Sequence, residues 1–296
     1  MESIASVNGI EIAYEAFGDS AHPTVLLIMG LGVQMLGWDE EFCRMLAGRG
    51  YRVVRFDNRD VGHSTKLVDA PRPDVMAAAA GDTSSAGYLL DDMAEDCVGL
   101  LDELGVEAAH VVGASQGGMI AQAVAIEHPE RVLSLTSIMS TTGDRAVGQP
   151  HPEAISALLT RPPGDREGFV EFAVGAWRVI GSPGFDADEE ALRARAGASY
   201  DRGIFPDGTG RQLVAILASG DRTEALRRLD VATTVIHGMD DVLVDVSGGR
   251  ATTAAIPGAR LELIEGMGHD LPRALWPRLI DLIVANAERA GARTAR

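Results

Sequence analysis

Along the chain, apolar positions switch period in a regular way. The stretch EIAYEAFG (Glu11 to Gly18) alternates with period two, as a strand with one covered face does, whereas TVLLIMG (Thr24 to Gly30) is an unbroken apolar run of the kind buried on both faces of a sheet. WDEEFCRMLAGRG then puts Trp38, Phe42, Met45 and Leu46 at helical spacing and stops near Gly48 and Gly50. YRVVRFD reads as a strand, LLDDMAEDCVGLLDELG as an amphipathic helix ending at Gly105, and AAHVVGAS as the next strand. MIAQAVAIEHPERV (helix) and LSLTSIMS (strand, Leu133 to Ser140) continue the rhythm. Such alternation predicts an α/β fold: a mainly parallel, doubly wound sheet with helices on both faces, joined by right-handed crossovers.

The rhythm breaks after residue 140. Between 141 and 228 only helical pieces occur (PEAISALLT, EGFVEFAVGAWRVIG, EEALRARAGASYD, GRQLVAILASGD), punctuated by Pro162-Pro163-Gly164 and Ser182-Pro183-Gly184. Strand patterns return in VATTVIHG and ARLELIEG, with a weakly helical VSGGRATTAAI between them and RALWPRLIDLIVANAERA as a closing helix. The expected organisation is therefore a core built from 1–140 and 229–296, with 141–228 as a helical cap inserted over the sheet. The segment DVMAAAAGDTSSAG (Asp74 to Gly87) is expected to be a surface excursion rather than an element.

Composition narrows the class. The 296 residues are 46% hydrophobic and 23% charged, as in soluble globular proteins, and no apolar run reaches the roughly 18 residues that a membrane helix needs. A net charge of −17 repels phosphate backbones and anionic membrane surfaces, so neither nucleic acid nor stable membrane association is expected. The N-terminal stretch has no basic n-region or apolar h-region, and the expected location is cytoplasmic. Cys43 and Cys97 fall in helical segments and read as packing residues, with no spacing for a metal site; no metal or cofactor is expected. A homo-oligomer is compatible with all of this.

The most informative stretch is HVVGASQGGMIAQ. Here Gly113-Ala114-Ser115-Gln116-Gly117 matches G-x-S-x-G between a predicted strand and a predicted helix. At such a turn, side chains at the flanking positions collide with neighbouring backbone, and the serine hydroxyl is pushed out at the carboxyl end of the sheet, beside unpaired helix amides. An ordinary helix-capping serine would need none of these glycines.

A serine nucleophile requires a base, and a histidine base works best when oriented by a carboxylate. His269, in EGMGHD after the last strand, lies on a carboxyl-edge loop, whereas His110 opens its strand at the wrong end of the sheet. His237 ends a strand and suits packing there. The acid is expected in the turn just beyond, HGMDDVLV, with Asp241 preferred and Asp240 as the alternative. Backbone N–H groups of Gln116 and Leu31 are the candidate oxyanion donors. Met29, Leu31, Met35, Met119, Trp177 and Leu243 are candidate pocket residues from their position and apolarity.

Through LLIMGLG, RFDNRDVGHS, HVVGASQGG, VIHGMDD and EGMGHD, in that order, the chain resembles the α/β-hydrolase fold superfamily over nearly its whole length. It is similar to the bacterial branch that holds aclacinomycin methylesterase and mycobacterial lipase/esterases. The resemblance implies an eight-stranded, mainly parallel sheet with a helical cap between strands six and seven. It makes Asp57, Arg59 and Ser64 scaffold residues beside the site, and marks Met29-Gly30 as a departure, since many relatives carry His-Gly there. The expected activity is that of a serine esterase on a moderately apolar small-molecule ester. Alternatives are other acyl transfer on the same site (thioesterase, methylesterase of a polyketide metabolite, perhydrolase) or a non-hydrolytic ligand-binding or catalytic protein that keeps the triad. A dehalogenase is disfavoured, because that chemistry needs a carboxylate where Ser115 stands.

Overall fold

The computed structural model describes residues 1–294. Its elements run β1 (Ser3–Val7), β2 (Ile10–Phe17), β3 (Thr24–Ile28), α1 (Glu40–Ala47), β4 (Arg52–Phe56), α2 (Val75–Ala79), α3 (Leu90–Glu103), β5 (Ala109–Ala114), α4 (Gln116–Glu127) and β6 (Val132–Ile138). Five helices follow: α5 (Pro152–Leu159), α6 (Arg166–Ile180), α7 (Glu189–Asp201), α8 (Pro206–Ser219) and α9 (Thr223–Leu226). The chain closes with β7 (Ala232–Gly238), α10 (Ser247–Ala255), β8 (Arg260–Ile264) and α11 (Trp276–Thr294). Ala295 and Arg296, at the end of the expected core segment, lie outside the described residues.

The eight strands form one sheet in the order β1-β2-β4-β3-β5-β6-β7-β8. β2 runs antiparallel to both β1 and β4, and every other neighbouring pair is parallel. The chain leaves β3 toward one edge, through β4, and resumes at β5 on the other side of β3. This reversal of strand order opens a crevice at the carboxyl ends of β3 and β5, where doubly wound sheets bind ligands.

Alternation along β3 explains the two cores. Leu26 and Ile28 join Val111 and the inner faces of α3 and α4 on one side, while Val25 and Leu27 join Val112, Ala114, α1 and α11 on the other. Every residue of β3, β5 and β7 is buried, in keeping with strands covered on both faces of the sheet.

The segment after β4 is more structured than its composition suggests. Asp74 caps a short helix, α2, by accepting the Ala77 amide at 2.9 Å, and α2 packs on α8. The alanine run becomes helical because α8 offers it a partner. Among the described residues, no helix is long and apolar enough to cross a membrane. Cys43 and Cys97 are buried and form no disulfide, and burial pushes the Cys43 thiol up to about 12.

Candidate active site

Ser115 stands between the end of β5 and the first turn of α4 with φ 56° and ψ −123°, a region that non-glycine residues seldom occupy. The turn is held by the Ser115 amide donating to the Ile138 carbonyl at 2.9 Å. Its tightness accounts for the flanking glycines. A Cβ at Gly113 would lie 2.0 Å from the Gly117 carbonyl oxygen, and one at Gly117 would lie 2.2 Å from that of Ile28. No side chain fits either place, so the backbone can turn sharply enough to present the half-buried Ser115 hydroxyl.

His269 and Asp241 arrive from the loops after β8 and β7. The Ser115 hydroxyl lies 2.9 Å from His269 Nε2, and His269 Nδ1 lies 2.7 Å from Asp241 Oδ2. A neutral imidazole with its proton on Nδ1 thus donates to the carboxylate and accepts from the serine. Asp241 Oδ1 accepts the Leu243 and Val244 amides, both at 2.9 Å. Burial alone would push the Asp241 carboxyl up. The His269 charge, the nearby His237 imidazole, the hydrogen bond from His269 and the Val244 amide outweigh it and hold the group well below the usual carboxylate range. Asp240 turns away: it is exposed and accepts the Gly266 amide at 2.8 Å.

His237 sits closer to this cluster than a packing role requires. Its Nε2 donates to the Val244 carbonyl at 2.8 Å and lies 3.5 Å from Asp241 Oδ2, and the side chain is fully buried.

The loop after β3 approaches from the other side. A Cβ at Gly30 would lie 3.0 Å from Ser115 Cβ, so backbone and nucleophile are nearly in contact. Among the described residues, the Leu31 and Gln116 amides have no hydrogen-bond partner. Without a histidine at position 29, polar side chains hold the loop. Asn58 donates to the Met29 carbonyl at 2.9 Å, Gln212 of α8 accepts the Gly32 amide at 2.8 Å, and Asp57 accepts the Met35 amide at 2.7 Å. Asp57 also accepts the His63 amide at 2.9 Å and pairs with Arg202 at the end of α7. Arg59 pairs with buried Asp96 at 2.6 Å, and the Ser64 hydroxyl donates to the Asp57 carbonyl at 2.6 Å. Gln212 carried no signal in the sequence. It is 180 residues from the glycine it serves, and glutamine in a helix looks like any solvated position.

The candidate pocket residues divide. Met29, Leu31, Trp177 and Leu243 are half-buried, and Trp177 carries the Arg195 guanidinium 5.7 Å from its ring centroid. Met35 is wholly buried, and Met119 packs in the core between the sheet, α3 and α4. Methionine fills irregular core space as readily as it lines a pocket, and position alone does not separate the two. Among the described residues, no cluster of three His, Cys, Asp or Glu side chains is arranged to hold a metal ion.

The strand order, the serine turn and the three side chains that meet there define a class. The chain belongs to the α/β-hydrolase fold family, whose model matches residues 23–272. Within that class it is 32% identical over 301 residues to rhodomycin D methylesterase DauP of Streptomyces sp. (strain C5), covering 93% of this chain and 94% of the relative. It is also 31% identical over 297 residues to rhodomycin D methylesterase DnrP of Streptomyces peucetius, with the same coverage. Among solved structures, the enol-lactonase from Burkholderia xenovorans LB400 matches with a TM-score of 0.73 at 24% identity, covering 96% of this chain and 99% of that one. The esterase RhEst1 from Rhodococcus sp. ECU1013 matches with a TM-score of 0.71 at 23% identity, covering 97% and 98%. Likeness at these identities shows the shared fold.

Proposed function

We propose that the protein is a carboxylic ester hydrolase that works through an acyl-enzyme on Ser115. The observation that carries this reading is the continuous hydrogen-bonded chain from Ser115 Oγ through His269 to Asp241. His269 Nε2 takes the serine proton as Oγ attacks the ester carbonyl carbon, and Asp241 stabilises the imidazolium. The oxyanion accepts hydrogen bonds from the Leu31 and Gln116 amides, each such donor being worth about 10²–10³ in rate. Collapse expels the alkoxide, which takes the proton back from His269. Water, deprotonated by the same nitrogen, then attacks the acyl carbon, releasing the acid and restoring Ser115.

For substrate, the reading is a moderately apolar small-molecule ester, with the methyl ester of a polycyclic metabolite preferred. Similarity to two rhodomycin D methylesterases over 93% of the chain supports this choice. In this reading residues 141–228 act as a cap over the ester, and the net charge of −17 argues against nucleic acid as a partner.

The test is hydrolysis of p-nitrophenyl esters of graded acyl length and of aromatic methyl esters, the latter by methanol release, with Ser115→Ala and His269→Ala beside the wild type. Both variants should lose about 10⁴-fold or more in kcat, since members of such a unit fail together. Full activity in Ser115→Ala, or no turnover of any ester by the wild type, would overturn the reading in favour of binding or non-hydrolytic chemistry.

A further inference from the structure

His269 can be no better placed than the loop that carries it. On one side, the residues around it are tied to the turn after β7: the Gly266 amide donates to Asp240, and the Asp240 amide donates to the Met267 carbonyl at 3.0 Å. On the other side, the loop is fastened to the last residue of α6 and the segment that follows it. The His269 amide donates to the Ile180 carbonyl at 2.7 Å, and the Gly184 amide donates to the Gly266 carbonyl at 2.9 Å. A Cβ at Gly268 would lie 2.4 Å from the Gly181 carbonyl oxygen, so the two backbones touch and glycine is required at 268.

One side chain completes this junction. The Ser182 hydroxyl accepts the Gly268 amide at 2.9 Å and donates to the Asp270 carboxylate. It therefore grips the residue before His269 and the residue after it. Asp270 is 8% exposed, and a carboxylate so buried needs hydrogen-bond partners. Burial raises its pKa, opposed by the Ser182 hydroxyl and amide and by the charges of His269 and Arg195. A buried acceptor of this kind needs its donor, which makes the Ser182 contact specific rather than incidental.

We propose that Ser182 and Asp270 are positioning residues for His269, pinning both sides of the general base to the helical insertion so that seating of the insertion and alignment of the base toward Ser115 are one event. This rests on the esterase reading above, because alignment matters only if His269 moves the Ser115 proton. The Nε2 to Oγ separation of 2.9 Å leaves little slack, and a displacement of about 1 Å can cost on the order of 10²-fold in rate.

The experiment compares Ser182→Ala and Asp270→Ala with the conservative Ser182→Thr and Asp270→Asn, which keep a hydroxyl and an accepting oxygen. Two quantities are read: kcat and KM for p-nitrophenyl butyrate, and backbone hydrogen exchange over residues 265–272. Both alanine variants should lose about 10- to 100-fold in kcat with KM within about twofold of wild type. The double alanine variant should be no worse than Ser182→Ala, which already breaks the contacts to both Gly268 and Asp270. Exchange at Gly268 and His269 should speed up about tenfold. The threonine and asparagine variants should recover most of the loss in both readouts.

An unchanged kcat, a rise in KM alone, or Asp270→Asn as slow as Asp270→Ala would overturn the proposal. Ser115→Ala is run alongside. If the wild type hydrolyses no ester, or Ser115→Ala keeps the activity, the esterase reading fails instead. The exchange arm then decides the junction by itself: faster exchange in the alanine variants, restored in the conservative ones, supports it, and unchanged exchange overturns it.

Discussion

Two helices of similar length, α4 and α6, differ sharply in how much of themselves they bury. α4 buries ten of its 12 residues, from Gln116 to Ala125, between the sheet and α3. α6 spans 15 residues and, among its described residues, buries only Val174. The sheet helices are held by apolar area, which is non-directional and tolerant of small shifts. Beyond β6, α8 and α9 still bury Val214, Ala215 and Leu226, but α7 and α8 add particular polar contacts with the core: Gln34 to the Ser199 and Gly203 carbonyls, Arg202 to Asp57 and Glu2, Arg211 to Asp60, and Gln212 to Gly32 and Arg59. Most of these core partners lie on the loops after β3 and β4, beside Ser115. These helices are thus attached where their position bears directly on the geometry of the site.

The sharpest way to break this contrast is Arg211→Ala. Arg211 and Asp60 are 3% and 0% exposed and 2.8 Å apart, and Tyr88 adds a hydrogen bond to the same carboxylate at 2.9 Å. Removing the guanidinium leaves a buried charge with too few partners, so about 3–5 kcal/mol of stability should be lost. Urea denaturation checks this, and a cost below 1 kcal/mol would mean that the polar attachments do not hold the insertion.

Next is the paired truncation Ile120→Ala and Val179→Ala. Ile120 is 0% exposed in α4, and its loss should cost about 2–5 kcal/mol. Val179 is 40% exposed in α6, and its loss should stay within about 0.5 kcal/mol. Equal costs would erase the distinction between the two helices.

The smallest and most selective effect concerns pH. Burial pulls the His110 imidazole down to about 4, where it bonds Ser134 at 2.9 Å and packs edge-on to Tyr51. The unfolded chain takes up this proton near pH 6.5 and the folded protein does not until about pH 4. Stability is therefore complete above about pH 6.5 and falls as pH drops toward 4, by at most about 3 kcal/mol. His110→Gln should flatten the drop in urea midpoint between pH 7 and 4.5 relative to wild type; an identical drop in both proteins would remove His110 as its source.

What could be read in the sequence follows from how local each signal is. The strand and helix order was legible because burial on two faces imposes unbroken apolar runs and helices impose a period of 3.6, and both patterns sit within a dozen residues. Gly113, Ser115 and Gly117 were legible for the same reason: the steric need for glycine acts within one turn. Asp241 could be separated from Asp240 only by preference, because two adjacent aspartates in one turn differ in which way they face, and facing is settled by the His269 loop packing beside it. Gln212, Asn58, Ser182 and Asp270 were not legible at all. Each serves a backbone group brought near by folding, and an exposed helical glutamine or a turn serine has the same local pattern whether or not it does so.

The chain alone therefore determined the alternation of strands and helices, the serine turn and the net charge of −17, since each depends on residues close together or simply summed. Only the tertiary structure decided that Asp241 faces His269, and that the helices between β6 and β7 are fastened to the loops after β3 and β4 beside Ser115. These outcomes depend on hydrogen bonds between residues up to 180 positions apart, whose geometry exists only once the sheet has set its strand ends side by side.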